Sequence, residues 1–424
     1  MFWRPLRARF TRSALTRSFD ALRVQEYRRW SIAQLLSGAG GAASQIAIAW
    51  LVVQLGGDGL ALGAVTSSMM LPTLLLGPFI GVLVDRHTRR AVLLVTAGVQ
   101  MAIAAVLAAL ALGGALELWM LMALSLAHGI AFAADNPARQ LLVLDLVGRD
   151  RVTSAVGMNE VIINGARVIG PAIAGALLLV TDAGWCFVVN VVLFVPSIFV
   201  LLALPSRMPA PEAGVGPLPR GEQRATSAVA PPAATTGAWR FATGTPAIRA
   251  TLLLAVCAAA SYNIAVVVPL LVVDVFHGDG ATYGALAVAF GLGALPGAFF
   301  SATGPITPRS TEVRTMAVAM AVAVLLSAAA PSLPLLFIGL AAVGMIVMWF
   351  IARANAFVML STPSAVRGRV MGIWAMALPG STVVTGLLVG GLAEVGDPRI
   401  AYAVVGAVTV LAVAASWRAL RSAP

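Results

Sequence analysis

The chain contains no lysine; all 28 of its basic residues are arginine. That absence excludes a phosphate-loop lysine and a lysine Schiff base, so this chain carries no nucleotide-driven pump of its own, and any energy for work must come from elsewhere. Charge is scarce as well, at 11% of 424 residues, against roughly a quarter in soluble domains. Cysteine is limited to Cys186 and Cys257. Both lie inside apolar runs, where they read as small hydrophobes and make no disulfide framework. The three histidines, His87, His128 and His277, are far apart and lack metal-ligand spacing, so neither a metal nor another cofactor is expected.

What the chain does have is apolar length. Hydrophobic residues make up 60% and mean hydropathy is +0.93, which marks an integral membrane protein whose first partner is the lipid bilayer. The formal charge of +11 could point to nucleic acid. The arginine positions exclude that reading, because eight precede Trp30 and nearly all others fall in alternate loops, as orientation in a bilayer requires.

A membrane span needs about 20 apolar residues. Runs of that kind fall at 31–53, 61–84, 91–112, 118–136, 153–180, 184–204, 248–273, 281–303, 314–331, 333–355, 369–392 and 400–417. The predicted fold is therefore all-α, with twelve transmembrane helices. Even-numbered connections hold the arginines; odd-numbered ones hold Asp58, Glu117, Asp182, Asp274 and Asp279, with Arg399 the one arginine among them. The positive-inside rule then places both termini in the cytoplasm.

Between about 205 and 245 the pattern breaks into Pro, Ala, Gly, Thr and Arg, the composition of a flexible linker. The expected organisation is a basic cytoplasmic arm on the membrane surface (1–29), a first six-helix bundle (30–204), a linker (205–246), a second six-helix bundle (247–418) and a short tail (419–424). The halves echo one another. Asn136 precedes Arg149-Asp150-Arg151-Val152 much as Asn355 precedes Arg367-Gly368-Arg369-Val370, and each leads into a glycine-rich span. Repeated halves of this kind place a site near the bilayer midplane, between them.

Charges inside a span cost about 2.5 to 3.5 kcal/mol on insertion scales and face a cavity or one another. The fifth span carries two, Glu160 and Arg167. Two turns apart, they are separated by about 10 Å along the axis, too far for an easy direct pair. Glu160 reads as a proton-carrying carboxylate, its pKa raised by desolvation, and Arg167 as its permanent counter-charge or a site for an anionic group. The alternative is a buried structural pair. At helical spacing Glu160, Asn164, Arg167 and Pro171 share one stripe, and Ala166, Gly170 and Ala174 form a small-residue stripe beside it. Gly165, Gly170, Pro171 and Gly175 thus read as a closely packed, bendable gate. His128 and Asp135 in the fourth span are further titratable candidates. Substrate-lining candidates are Gln34 and Gln45 in the first span, Tyr262 and Asn263 in the seventh, and Trp374 and Met376 in the eleventh.

The loop between the second and third spans reads Gly81, Asp85, Arg86, Arg89, Arg90, with Thr88 before the arginine pair. It resembles the corresponding loop of major facilitator superfamily transporters, in which Thr88 would be glycine. The fifth-span glycines resemble the signature of exporters in that superfamily, with Ala174 a departure. Asp135-Asn136-Pro137-Ala138-Arg139 at the expected close of the fourth span, Trp50 and its neighbours in the first, and Arg367-Gly368-Arg369 before the eleventh are similar to the drug-exporter branch that includes macrolide and enterobactin exporters. Ser125 stands where many proton-coupled members have arginine. The resemblance implies the major facilitator fold, two six-helix bundles that rock about a central cavity, and a cytoplasmic gate of Gly81, Asp85, Arg86, Arg89, Arg90, Arg367 and Arg369. It further implies a monomeric, proton-gradient-driven exporter of a small amphipathic molecule, a drug, natural product or siderophore, in a bacterial inner membrane, and no enzyme. A nutrient importer of the same fold, or a membrane sensor that moves nothing, remains open on the residues alone.

Overall fold

The computed structural model describes residues 20–148, 151–205, 232–303 and 308–421. Within its helices the side chains of Gly81, Asp85, Arg86, Glu160 and Asn164, among others, lie outside the described set. Among the described residues all regular structure is helical, and twelve helices are long and apolar enough to cross a membrane. Such helices satisfy their backbone groups internally, the condition that hydrocarbon imposes. The first six spans are Gln25–Gln54, Gly59–Arg86, Arg89–Leu112, Leu118–Val147, Val152–Val180 and Gly184–Ala203. A short helix, Pro232–Gly244, then precedes the second six: Pro246–Val275, Gly280–Thr303, Ser310–Ala328, Leu333–Ser361, Ser364–Val395 and Pro398–Arg421.

The seventh and eleventh spans are broken. Asn263 (φ −79°, ψ 53°) interrupts the seventh, which restarts at Ile264 and widens to i→i+5 bonding over Leu271–Val275. The eleventh widens over Met376–Gly380. Pro269 and Pro379 lie at these places, each lacking the N–H that a regular turn needs.

Helix ends explain the acidic loops. The Asp58 carboxylate accepts from Ala61 N at 2.8 Å and caps the second span; Asp279 accepts from the N–H (2.8 Å) and hydroxyl (2.7 Å) of Thr282 and caps the eighth. The Thr282 backbone N–H is the main cause holding the Asp279 carboxyl below the usual carboxylate range. Thr88, in place of the glycine of the resemblance, caps the third span by accepting from Ala91 N, with extended backbone at φ −67°. No left-handed turn is present there, so no glycine is required.

Several spans differ from the expected ones. The fourth continues through Pro137 to Val147 instead of ending at 136, because Arg139 turns back one turn to pair with the buried Asp135, which also accepts from Thr96 Oγ1 at 3.0 Å. The tenth runs to Ser361, so Arg353 is a buried helix residue and not a loop charge; its guanidinium grips Glu312 through two bonds, 2.7 and 2.8 Å. The described end of the basic arm is docked on protein. Asp20 pairs with Arg151 at 3.3 Å, Ala21 N donates to Ser154 Oγ, and Tyr27 OH donates to Ala155 O. Within the expected linker, Pro232 and Gly244 bracket an alanine- and threonine-rich helix, the usual start and stop residues.

The two halves repeat their fastenings. Arg90, in the first turn of the third span, donates to Leu201 O (2.7 Å) and Leu202 O (2.9 Å) at the end of the sixth. Arg314, in the first turn of the ninth, lies 4.3 Å over the Trp417 ring near the end of the twelfth. Arg89 pairs with Asp145 between the third and fourth spans at 3.5 Å, and Glu312 with Arg353 between the ninth and tenth, with the charges exchanged.

Between halves the contact is built on glycine backbone, with Trp50 of the first span stacked on Tyr283 of the eighth, ring centres 6.5 Å apart. The second and eleventh spans touch at Gly59 against Gly390 and Gly63 against Gly386; a Cβ on Gly63 would lie 2.5 Å from Gly386 O. The fifth and eighth touch at Gly175 against Gly284, and a Cβ on Gly291 would lie 2.8 Å from Arg167 O. Ser67 Oγ adds a bond to Val383 O at 2.7 Å. These contacts run from mid-span, where Gly291 meets Arg167 O, to the acidic end. Leu74 meets Gly380, and beside that contact Leu75 is 60% and Met376 57% exposed.

Two outcomes follow. Gly284→Val pushes the fifth and eighth spans apart, so a cysteine at Asn263, in a chain whose Cys186 and Cys257 are alanine, reacts faster with a bulky thiol reagent than in the parent; equal rates contradict the seam. Glu312→Gln leaves the buried Arg353 half-paired and destabilises the second half by roughly 3 kcal/mol, read as a lower thermal midpoint in nanodiscs; an unchanged midpoint contradicts the pairing.

Candidate functional site

The residues nearest the crossing of the halves gather around Arg167. Its Nη1 donates to Met348 Sδ of the tenth span at 3.6 Å, and its Cζ lies 5.6 Å from the centre of the Tyr262 ring in the seventh. Tyr262 in turn meets Phe290 of the eighth edge-on, with ring centres 5.7 Å apart. A guanidinium of the first half thus rests on aromatic and thioether groups of the second, an attraction of about 0.5 to 2 kcal/mol depending on desolvation. Gly291 makes this approach possible, since any side chain there meets the Arg167 carbonyl.

Asn263, where the seventh span breaks, is buried at the seam beside Gly386, and its Nδ2 has no hydrogen-bond partner among the described residues. A broken helix with a free polar group near the junction of two repeats is the kind of place at which transporters of repeated architecture bind their substrates.

The other predicted residues scatter. His128, Gln45 and Ser125 line a separate cavity inside the first bundle, where Ser44 Oγ, Gln100 Nε2 and Asn190 Oδ1 are buried without partners among the described residues. Its volume is about 20 Å³, room for one or two waters and not for an organic substrate. Gln45 Nε2 reaches Met69 Sδ at 3.8 Å, and His128 stacks on Phe132 with ring centres 6.3 Å apart. Gln34 is buried against Ser37 within its own helix. Asp135 is closed off by Arg139 and Thr96. Trp374 is buried in the apolar core of the second half. Met376, four-sevenths exposed, lines a cleft of about 330 Å³ between the short helix and the seventh and eleventh spans.

The gate residues divide by neighbour. Gly165 faces Leu35 and Gly170 sits against Ala39 and Ala42, all in the first span, whereas Gly175 meets Gly284 across the seam; Pro171 stays within an unbroken helix. Arg89 and Arg90 fasten the first half, and Arg367 donates to Thr362 O at 3.2 Å at the end of the tenth span. Gly81, Asp85, Arg86 and Glu160 have side chains outside the described residues. Met348 and Phe290 were absent from the sequence expectation. Neither carried a signal, because a methionine or phenylalanine in an apolar run looks like any packing residue.

Comparison with known proteins agrees with this architecture. The model of a family described as transmembrane secretion effector matches residues 16–422. A staphyloferrin A transporter of Staphylococcus aureus is 32% identical over 162 residues, 38% of this chain and 40% of that protein. Macrolide efflux protein A of Streptococcus pyogenes is 26% identical over 175 residues, 40% of this chain and 43% of the other. The aligned stretches span about two fifths of these relatives. The crystal structure of a mutant of the nucleoside transporter NupG superposes with TM-score 0.73 at 14% identity, over 93% of this chain and 99% of that one. These are transporters and not enzymes, and the chain belongs to the transmembrane secretion effector family of the major facilitator superfamily.

Proposed function

We propose that this chain exports a small amphipathic organic molecule, a drug, natural product or siderophore, from the cytoplasm in exchange for protons. The observation that carries the reading is the seam. Two repeated bundles meet through glycine backbone from mid-span to the acidic end, and hold Arg167 of one half against Tyr262 and Met348 of the other. Such a junction closes largely through glycine backbone and does not need a core to be repacked, so a difference in ligand affinity between two states can shift it. The positive-inside rule puts the arginine-rich end and both termini on the cytoplasmic side, here of a bacterial inner membrane. Outward direction rests on the relatives, one named for a siderophore and one for macrolide efflux.

Each bundle pair forms its own passage, so the working unit is a monomer. Arg167 and Tyr262 meet the substrate, with Asn263 beside them. Glu160, two turns from Arg167, carries the proton. His128 is the second choice for that role. Asp135 is the weakest, because protonating it would give up its pairing with Arg139. Asp85 with Arg86, Arg367 and Arg369 latches the cytoplasmic side in the opposite state, while Gly165, Gly170, Pro171 and Gly175 let the fifth span flex against its neighbours.

The test uses inside-out vesicles with an imposed proton gradient and a panel of amphipathic compounds. Wild-type protein should dissipate the gradient when some of them are added, and Glu160→Gln should fall to the level of empty vesicles. Dissipation unchanged in the variant would remove the proton from Glu160; accumulation of compound in right-side-out cells would reverse the direction.

A further inference from the structure

The cleft beside Met376 shares no lining residue with the Arg167 cluster, its nearest wall on the seventh span being Val256, six residues before Tyr262, and it differs from that cluster in kind. Its floor is the seventh span, with Leu252 and Leu253; one wall is the eleventh, with Ile373 and Met376; over them leans Trp239 of the short helix Pro232–Gly244. Trp239 is 55% exposed, and Leu253 and Met376 in similar degree, so the apolar lining is left open. Its volume of about 330 Å³ reaches the lower range of pockets that hold drug-sized molecules, about 300 Å³ and above.

The lining, among the described residues, contains one cation and no carboxylate. Arg249 stands at the rim, where it donates from Nη1 to Thr243 O at 3.3 Å. That bond ties the seventh span to the end of the short helix and employs one of the five N–H groups of the guanidinium. The others form a planar fork suited to a carboxylate or a phosphate. A cation with no carboxylate partner among the described residues, above an apolar floor with an indole at the edge, is complementary to a molecule with one anionic group on an apolar body.

We propose that this cleft binds such an amphipathic anion, its headgroup on Arg249 and its apolar body between Leu253, Ile373 and Met376. The short helix, which the sequence had presented as linker, supplies the third wall, so the connection between the two halves is part of a binding site. The site stands apart from the export reading: it can be occupied whether or not the molecule is then carried outward. A soluble amphiphile and an anionic lipid of the inner leaflet share this chemistry.

The experiment measures equilibrium binding of radiolabelled decyl phosphate to the full chain in phosphatidylcholine nanodiscs, with decanol as the uncharged probe. Wild-type protein should bind decyl phosphate saturably and decanol much more weakly. Arg249→Gln should lose about tenfold in affinity for the phosphate, the scale of one charge-assisted hydrogen bond, and Arg249→Lys should regain part of it. Trp239→Ala should weaken decyl phosphate and decanol alike. Adding phosphatidylglycerol to the nanodiscs separates the sources: competition assigns the site to lipid headgroups, and undiminished binding assigns it to free amphiphiles. Equal binding by wild type and Arg249→Gln, decanol binding as tight as decyl phosphate, or no saturable binding would each overturn the proposal.

Discussion

Close approach of backbone to backbone at the glycine pairs Gly59–Gly390, Gly63–Gly386 and Gly175–Gly284 is the constraint on which the rest of this structure depends. In hydrocarbon no hydrophobic force draws two helices together, because lipid tails are as apolar as leucine; association comes from packing and from hydrogen bonds. A seam built mainly on glycine backbone gains from both and has few large side chains to interlock. Two helices can therefore lie very close in one state and part in another without repacking a core. The same constraint makes the seam intolerant of a Cβ, and it sets the Arg167 backbone and Asn263 directly beside the glycines Gly291 and Gly386.

A hinge of that kind works only if each half moves as a body, and the charged groups are arranged to that end. Arg90 on the sixth-span carbonyls, Arg89 on Asp145 and Arg139 on Asp135 fasten the first half; Arg353 on Glu312 and Arg314 over Trp417 fasten the second. The equivalent places in the two halves are served by different chemistry, a carbonyl pair in one and an indole in the other. Position has persisted where residue type has not. At the opposite end Asp58 and Asp279 cap equivalent helices. Arg399, the one arginine among the acidic loops, lies 5.3 Å over the Phe276 ring, so even the exception to the charge pattern is held by a neighbouring span.

The spans, their number and their division into halves were legible because apolar length and alternate arginine loops are one-dimensional signals. Helix ends were less so. Arg139 and Arg353 read as loop charges, and only the partners Asp135 and Glu312, 4 and 41 residues away, reveal them as helix residues. The small residues of the fifth span were readable as a packing stripe, but which neighbour each would meet was not: Gly170 turned to the first span and Gly175 to the eighth. Arg167 stood out because a charge in a span is expensive, whereas Met348 and Phe290, which it and Tyr262 touch, are ordinary residues of apolar helices. Trp374 and Met376, two residues apart, were read alike and separated by the helix: one enters the core, the other opens onto a cleft. The short helix of the linker was hidden by a composition that resembles flexible chain.

The central claim is that the halves exchange a seal at the acidic end for one at the arginine-rich end. Spin-label distances test it most directly, with one pair at Leu55 and Val395 on the acidic side and another at Gln140 and Ser361 on the arginine side, all exposed positions. Measured in nanodiscs in acidic and alkaline buffer, with and without a transported compound, the account predicts that the two distances change in opposite senses, the acidic-side pair lengthening as the arginine-side pair shortens. Distances that stay fixed under every condition, or that lengthen and shorten together, would contradict it.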